Sequence, residues 1–184
     1  MDIYQICPEF KKGQITLRQT ETQDAEELLN CYSDEAAVPL FNSDNCHGDD
    51  FYYTTLERMK QAIDFWDFSY KNRYFVRWTI IINDTEEIIG TIEMFHRIAE
   101  DEFNHFGILR IDLQSRFEKQ EIINDILEIV NENLYQAFEV NSILTKAIPL
   151  AGERIQSLLN NGYSPMNKRF MGYDDYYRRN RVDN

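Results

Sequence analysis

The sequence is poor in cysteine and has no long hydrophobic run, and each shortage excludes a class of protein. The three cysteines, Cys7, Cys31 and Cys46, lack the spacing of a metal site, and an odd number of thiols is typical of a reducing compartment. No apolar run approaches the roughly 18 residues that a membrane-spanning helix needs. No signal peptide is recognisable. We therefore expect a cytoplasmic protein without a bound metal and without a membrane anchor.

Positive charge is also scarce, because 19 Lys and Arg residues face 32 Asp and Glu residues, for a net charge of -13. So acidic a surface repels nucleic-acid phosphates and anionic lipid headgroups. Neither is expected as a partner. The same negative field disfavours a polyanionic cofactor unless local positive charge compensates for it. It favours a cationic or amine substrate.

The hydrophobic content of 43% and the aromatic content of 14% exclude a disordered chain. A length of 184 residues is sufficient for one domain with a real core. No repeat, linker or low-complexity segment divides the chain. We therefore expect residues 1–184 to form a single α/β domain.

The stretch from Gly107 to Val130 changes its hydrophobic period in the middle. Leu109, Ile111 and Leu113 alternate with polar residues, which predicts a strand over residues 108–113. Three- and four-residue spacing then predicts an amphipathic helix of about five turns, with an apolar face of Ile122, Ile123, Ile126, Leu127, Ile129, Val130, Leu134 and Phe138. A tight turn between a strand and a helix N-terminus is a ready anion site, because the first helical amides have no partner.

The turn itself, residues 114–120, has two interpretations. Ser115-x-x-Glu118 matches a capping box, in which the two side chains satisfy the amides that a phosphate would otherwise bind. Arg116 and Lys119 instead favour a phosphate site. In either case the helix is expected to begin within about two residues of Arg116.

The other segments show the same periodicities in shorter form. Strands are predicted at residues 14–18, 74–82, 88–98, 140–148, 163–166 and 170–177. Helices are predicted to open at residues 22–26 and at the capping box Thr54-x-x-Glu57, and to cover residues 151–161. Gly90 within a strand indicates a bulge or a close approach of two backbones. The polar tail from Arg178 to Asn184 is expected to fray.

This order of elements resembles the GNAT N-acetyltransferase superfamily, in particular the branch that acetylates ribosomal-protein N-termini and related amines. Ile89-Gly90-Thr91-Ile92 is similar to the family's Ile-Gly-x-Ile, and Leu17-Arg18 followed by Asp24-Ala25 is similar to the usual start of this branch. The resemblance implies a GNAT fold, a mixed and mostly antiparallel sheet that is splayed between its fourth and fifth predicted strands and flanked by helices on both faces.

The resemblance also implies acetyl-CoA as cofactor, with its pyrophosphate wrapped by an Arg/Gln-x-x-Gly-x-Gly/Ala turn. Those motif positions hold Ser115, Glu118 and Gln120, so all three depart from the pattern. On the short helix before Gly162, the family's Asn, Ser and Tyr positions hold other residues, namely Ala151, Arg154 and Leu158. The cofactor-binding residues implied by position are Ile111, Leu113, Ser115, Arg116, Phe117, Glu118, Lys119 and Gln120.

Acetyl transfer to an amine requires groups that accept and donate protons. The resemblance places Glu93 in a strand that lines the cleft, where it is the candidate catalytic residue that receives the amine proton through water. The alternative is a strand carboxylate that is salt-bridged or faces solvent. His96, His105 and Tyr163 are further acid or base candidates.

The resemblance implies that residues 33–53 help to shape the acceptor-amine pocket. Asp44, Asp49 and Asp50 in this segment are candidates to hold a cationic substrate, with ordinary solvated loop carboxylates as the alternative. The implied function is an acetyl-CoA-dependent N-acetyltransferase for a small amine or a peptide or protein N-terminus. The alternative is a non-catalytic binding or scaffolding protein on the same fold that has lost efficient acetyl-CoA binding. A homodimer is compatible with either function.

Overall fold

The alternating residues of the central stretch form the middle of an eight-stranded sheet in the computed structural model, which describes residues 2–182. The strands are β1 (Phe10–Lys12), β2 (Ile15–Gln19), β3 (Val76–Ile82), β4 (Ile88–Arg97), β5 (Phe106–Leu113), β6 (Ser142–Lys146), β7 (Ser164–Pro165) and β8 (Tyr176–Asn180). Their order across the sheet is β1-β2-β3-β4-β5-β6-β8-β7. Among the described residues only β5 and β6 pair in parallel, so the predicted mixed, mostly antiparallel sheet is confirmed.

Helices cover both faces of this sheet, as predicted. They are α1 (Ala25–Tyr32), α2 (Leu56–Lys71), α3 (Gln120–Ile129), α4 (Tyr135–Ala137) and α5 (Gly152–Asn160). A π-helical turn, Val130–Leu134, joins α3 to α4, so the chain runs through about five helical turns as its period predicts. None of the helices within residues 2–182 combines the length and the apolar character needed to cross a membrane.

The alternation along β5 separates two environments. Leu109, Ile111 and Leu113 pack in the large core cluster together with the apolar face of α3. Asp112 points to the other face, where the Tyr32 hydroxyl at the end of α1 donates to its Oδ2 over 2.7 Å. The face of the sheet toward α1 and α2 therefore carries polar groups beneath the helices.

The pairing between β5 and β6 is short. It covers only Gly107 to Leu109 on β5, which face Ile143 to Thr145 on β6. Residues 110–113 of β5 continue beside β4, while β6 pairs on its other side with β8. The two parallel strands thus diverge after Leu109, which is the splay that the family resemblance implies.

Gly90 confirms the predicted close approach of two backbones. The register between β3 and β4 shifts at Ile80 and Ile81, opposite this glycine. A Cβ atom at Gly90, where φ is +157°, would lie 1.9 Å from the carbonyl oxygen of Asp112. The site therefore requires glycine.

Two local predictions differ from the structure. The cap of α2 is Thr55 rather than Thr54, since the Thr55 hydroxyl accepts from the Arg58 amide over 3.2 Å. Of the predicted strand at residues 170–177, only Tyr176 and Tyr177 lie in a strand, as the start of β8, while Phe170 and Tyr173 form an isolated bridge.

The last strand, β8, instead continues to Asn180, because its backbone pairs with β6 from Ser142 to Lys146. The first residues of the tail predicted to fray are therefore a strand. Residues 183–184 lie outside the described part of the chain. The short edge strand β1 had no counterpart in the sequence prediction.

Candidate functional site

The turn after β5 contains a short 3₁₀ helix, Ser115–Phe117, and α3 begins only at Gln120. The start of α3 predicted within two residues of Arg116 was therefore too early. Glu118 and Lys119 have backbone angles outside the helical region, which separates the two helices. Ile111 and Leu113, the strand residues implied in cofactor binding, have fully buried side chains in the core.

The predicted capping box is wrong. The Ser115 amide donates to Oδ2 of Asp34 over 2.7 Å, and Asp34 lies just beyond the end of α1. Burial would raise the pKa of Asp34, but the hydrogen bonds from Ser115 and from the Ala36 and Ala37 amides together hold it below its usual range. A carboxylate from a distant element thus binds the amide that the Glu118 side chain was predicted to satisfy.

Glu118, which stands at the first glycine position of the motif, is bound by Arg154 of α5. Arg154 Nε donates to one carboxylate oxygen over 2.7 Å, and its Nη2 donates to the other over 2.8 Å. Its Nη1 donates to the carbonyl of Leu40 over 3.1 Å. Glu118 is 8% exposed and Arg154 is 1% exposed. The pair therefore fills the space between the turn and α5.

A second carboxylate binds the turn at its other end. The Gln120 amide, the first of α3, donates to Oε2 of Glu153 over 3.0 Å. Two amides of the turn thus already bind carboxylates of the chain itself. In this conformation the turn does not fit a diphosphate, because its acceptors and charges are those that a diphosphate would bring.

The cations predicted for a phosphate are placed at the surface. Arg116 forms an ion pair with Glu87 and stacks on Phe117, with its Cζ 4.6 Å from the ring centroid. Lys119 is exposed. Phe117 is partly buried against the main core. Neither cation lies in a buried anion site.

On the face of the sheet toward α1 and α2, Glu93 lies in the wall of a cavity of about 520 Å³. Its two carboxylate oxygens accept from Arg77 and from Arg110. Burial alone would raise the pKa of Glu93, but the charges of Arg77 and then of Arg110 outweigh it and hold the pKa below its ordinary value. The predicted salt-bridged alternative therefore describes its environment, and its catalytic role stays a prediction.

Arg77 extends this pair into a buried polar network. Its Nη1 lies 3.0 Å from Oδ2 of Asp112, 2.9 Å from the Tyr32 hydroxyl and 2.9 Å from the Thr91 hydroxyl. Its guanidinium also stacks over Trp66 of α2 at 4.2 Å. Arg110 is the more exposed of the two arginines that bind Glu93, with 12% of its side chain accessible against 1% for Arg77.

The loop carboxylates predicted to hold a cation already have partners. Asp44 accepts from Nζ of Lys146 over 2.7 Å. Asp49 accepts from Arg58 over 2.8 Å, and Asp50 accepts from the Tyr52 amide over 2.9 Å. Asp44 and Asp49 thus bind internal cations, while residues of their loop, including Asp49, line the Glu93 cavity.

The other acid and base candidates lie elsewhere. His96 and His105 contact each other, with Nε2 and Nδ1 separated by 2.8 Å, and His96 lines a different cavity beside Phe138. Tyr163 is buried, and its hydroxyl donates to Asn131 over 3.4 Å. Neither group belongs to the lining of the Glu93 cavity.

Sequence reasoning assigned no binding role to Arg77, Arg110 or Arg154, which bind the carboxylates on both sides of the site. Arg77 stands inside an apolar strand, and Arg110 alternates with the apolar residues of β5. A charge within such a run is rarely left unpaired. That signal was available for both arginines.

Comparison with known proteins shows which family has this architecture. The sequence model of the acetyltransferase (GNAT) domain matches residues 14–149. The uncharacterized N-acetyltransferase YoaA of Bacillus subtilis is 29% identical over 95 residues, which are 52% of this chain and 49% of that protein. The chain thus spans about half the length of this curated relative.

Two solved structures share the fold. A putative ribosomal-protein-serine acetyltransferase from Vibrio cholerae superposes with a TM-score of 0.67 at 13% identity, over 95% of this chain and 98% of that one. RimJ of Mycobacterium smegmatis, in complex with CoA-disulfide, gives a TM-score of 0.73 at 10% identity, over 94% of this chain and 86% of that one. Because the family match covers most of the chain and the sheet has the expected splay, the protein belongs to the GNAT acetyltransferase family.

Proposed function

We propose that the protein is an acetyl-CoA-dependent N-acetyltransferase that acts on a small amine or on a peptide or protein N-terminus. The observation that carries the proposal is the cavity beside Glu93, which Arg110 of β5 also lines. Arg110 is the first residue of β5 beyond its pairing with β6. An acceptor in this cavity would therefore lie next to the opening between the two parallel strands.

Glu93 is proposed to take the proton of the acceptor amine through water. Its low pKa makes it a weak base while both arginines are bound. An acceptor ammonium would compete with the more exposed Arg110 for one carboxylate oxygen, whereas Arg77 stays buried. The ammonium would then replace Arg110 as the positive neighbour of Glu93, which places the acidic proton close to the carboxylate that receives it.

Acetyl-CoA as the donor is supported by membership of the family. When bound, it would supply the thioester carbonyl that the amine attacks. The turn residues 115–120 do not fit its diphosphate in this conformation, so they are assigned no part in the reaction. The carboxylates on the turn amides are also the observation that favours the alternative, a non-catalytic binding protein.

The test combines calorimetric titration of acetyl-CoA with mass-spectrometric detection of transfer to a panel of polyamines, lysine and short peptides. We expect transfer to at least one amine. Glu93→Gln should lower kcat more than it weakens acceptor binding, whereas Glu100→Gln, an exposed control, should change neither. Unchanged kcat in Glu93→Gln would remove Glu93 from the mechanism.

Absence of both acetyl-CoA binding and product would favour the non-catalytic alternative. A cytoplasmic location and a homodimer stay predictions. Sedimentation of the purified protein tests the second of these.

A further inference from the structure

The turn after β5, residues 114–120, is held at both ends by carboxylates of separate elements. Asp34 reaches the Ser115 amide from the end of α1, and Glu153 reaches the Gln120 amide from the first turn of α5. Asp34 is fixed on its own side, because its other carboxylate oxygen accepts from the Ala36 amide over 3.0 Å. The two contacts therefore connect three parts of the fold at one turn.

These contacts use the groups by which a helix N-terminus binds a phosphate. A diphosphate at this turn would need the amide hydrogens that the two carboxylates now accept, and its charge would be repelled by both. Glu118 repels a diphosphate less than these two carboxylates do, because Arg154 neutralises its charge. Arg116 is committed to Glu87.

We propose that Asp34 and Glu153 are specificity-determining residues for the acyl donor, and that they exclude its nucleotide diphosphate from the α3 turn. What the chain then recognises is the part of the donor that carries no nucleotide. The inference rests on the proposed function, because it concerns the donor of that same reaction.

The experiment compares two donors that differ in the nucleotide alone, acetyl-CoA and S-acetylpantetheine, by calorimetric titration. The variants are Asp34→Asn, Glu153→Ala and the double variant. Asn keeps the size and the Ala36 contact of Asp34 while it removes the charge, and Glu153 is exposed, so that folding is preserved. Glu121→Ala is the matched control, because it removes an exposed charge from the same helical turn.

We expect the unaltered protein to bind the two donors within about threefold of each other. The double variant should bind acetyl-CoA at least about tenfold more tightly and S-acetylpantetheine unchanged, and Glu121→Ala should change either affinity by less than about threefold. Inorganic pyrophosphate should raise the melting temperature of the double variant only.

Three results would overturn the inference: tenfold preference of the unaltered protein for acetyl-CoA, an equal gain for both donors in the double variant, or no gain for either. Binding without transfer from either donor would instead remove the proposed function and leave the donor assignment standing. If the unaltered protein binds acetyl-CoA tightly and transfers its acetyl group, the proposed function remains and the donor assignment is removed.

Discussion

Arg154 and Glu118 form a two-bond ion pair, at 2.7 and 2.8 Å, between the turn after β5 and helix α5. Both side chains are almost fully buried. Each residue stands at a position where the family resemblance predicts something smaller, a serine for Arg154 and a glycine for Glu118. The two departures from the pattern therefore belong together, because the charge of Arg154 compensates the charge of Glu118.

The pair predicts strongly non-additive stability. Arg154→Met leaves the Glu118 charge buried without a partner and should lower the free energy of unfolding by about 3–5 kcal/mol. The double variant Glu118→Met with Arg154→Met should recover much of that loss. Urea unfolding of both variants measures this coupling. Arg116→Met, which breaks the exposed pair with Glu87, is the control and should cost below about 1 kcal/mol. Equal losses in the single and double variants would contradict the prediction.

The pKa of Glu93 predicts a pH dependence of stability. Because the folded-state pKa lies below the ordinary value of 4.5, ionised Glu93 stabilises the folded chain fully above pH 4.5. This contribution is lost as the pH falls through the lower folded value. Glu93→Gln should therefore flatten the fall in unfolding free energy below pH 4.5. Glu100→Gln should keep the slope of the unaltered protein, and identical slopes in the two variants would exclude Glu93 as its source.

Gly90 should not tolerate a side chain. Gly90→Ala combines an unfavourable φ with a clash against the Asp112 carbonyl, which together should cost about 3 kcal/mol. Gly152→Ala is the matched control, because nothing lies within 4 Å of the added Cβ at the start of α5. It should be neutral or stabilise by about 0.5–1 kcal/mol. Thermal melts of the two variants would show the contrast, and similar melting temperatures would speak against a close approach at Gly90.

The helix cap distinguishes two neighbouring threonines. Thr55→Ala removes the acceptor for the Arg58 amide and should lower the unfolding free energy by about 1 kcal/mol. Thr54→Ala should change it by less than about 0.5 kcal/mol, since surface substitutions away from a cap have small effects. Chemical denaturation of the two variants gives the comparison. A larger loss for Thr54→Ala would return the cap to the position that the sequence pattern predicts.

Local periodicity was sufficient for most of the fold. The alternation at Leu109, Ile111 and Leu113 predicts β5, because a strand with one face on a core repeats every two residues. The cap of α2 shows the limit of such patterns. Thr54-x-x-Glu57 fits the capping-box sequence, but the backbone enters the helix one residue later, and the pattern alone does not fix that point.

The candidate site was less predictable because its contacts join residues far apart in sequence. The partner of the Ser115 amide, Asp34, is 81 residues away, and the partner of Glu118, Arg154, is 36 residues away. The short motif around the turn suggests Glu118 as the partner of the Ser115 amide, which is why a capping box was expected. Glu93 lines a cavity, and its two arginine partners come from neighbouring strands whose register only the folded sheet fixes.

The brief parallel pairing of β5 with β6 has a consequence for the order of folding. Strands β3, β4 and β5 pair with their sequence neighbours across short connections, so they can form early. The sheet is completed only when Leu109 meets Thr145, after α3 and α4 have been enclosed in the intervening chain. Closing this larger loop carries a greater entropic cost and gains three residue pairs. Amide hydrogens of β6 and β8 are therefore expected to acquire protection from exchange after those of β3 and β4 during refolding.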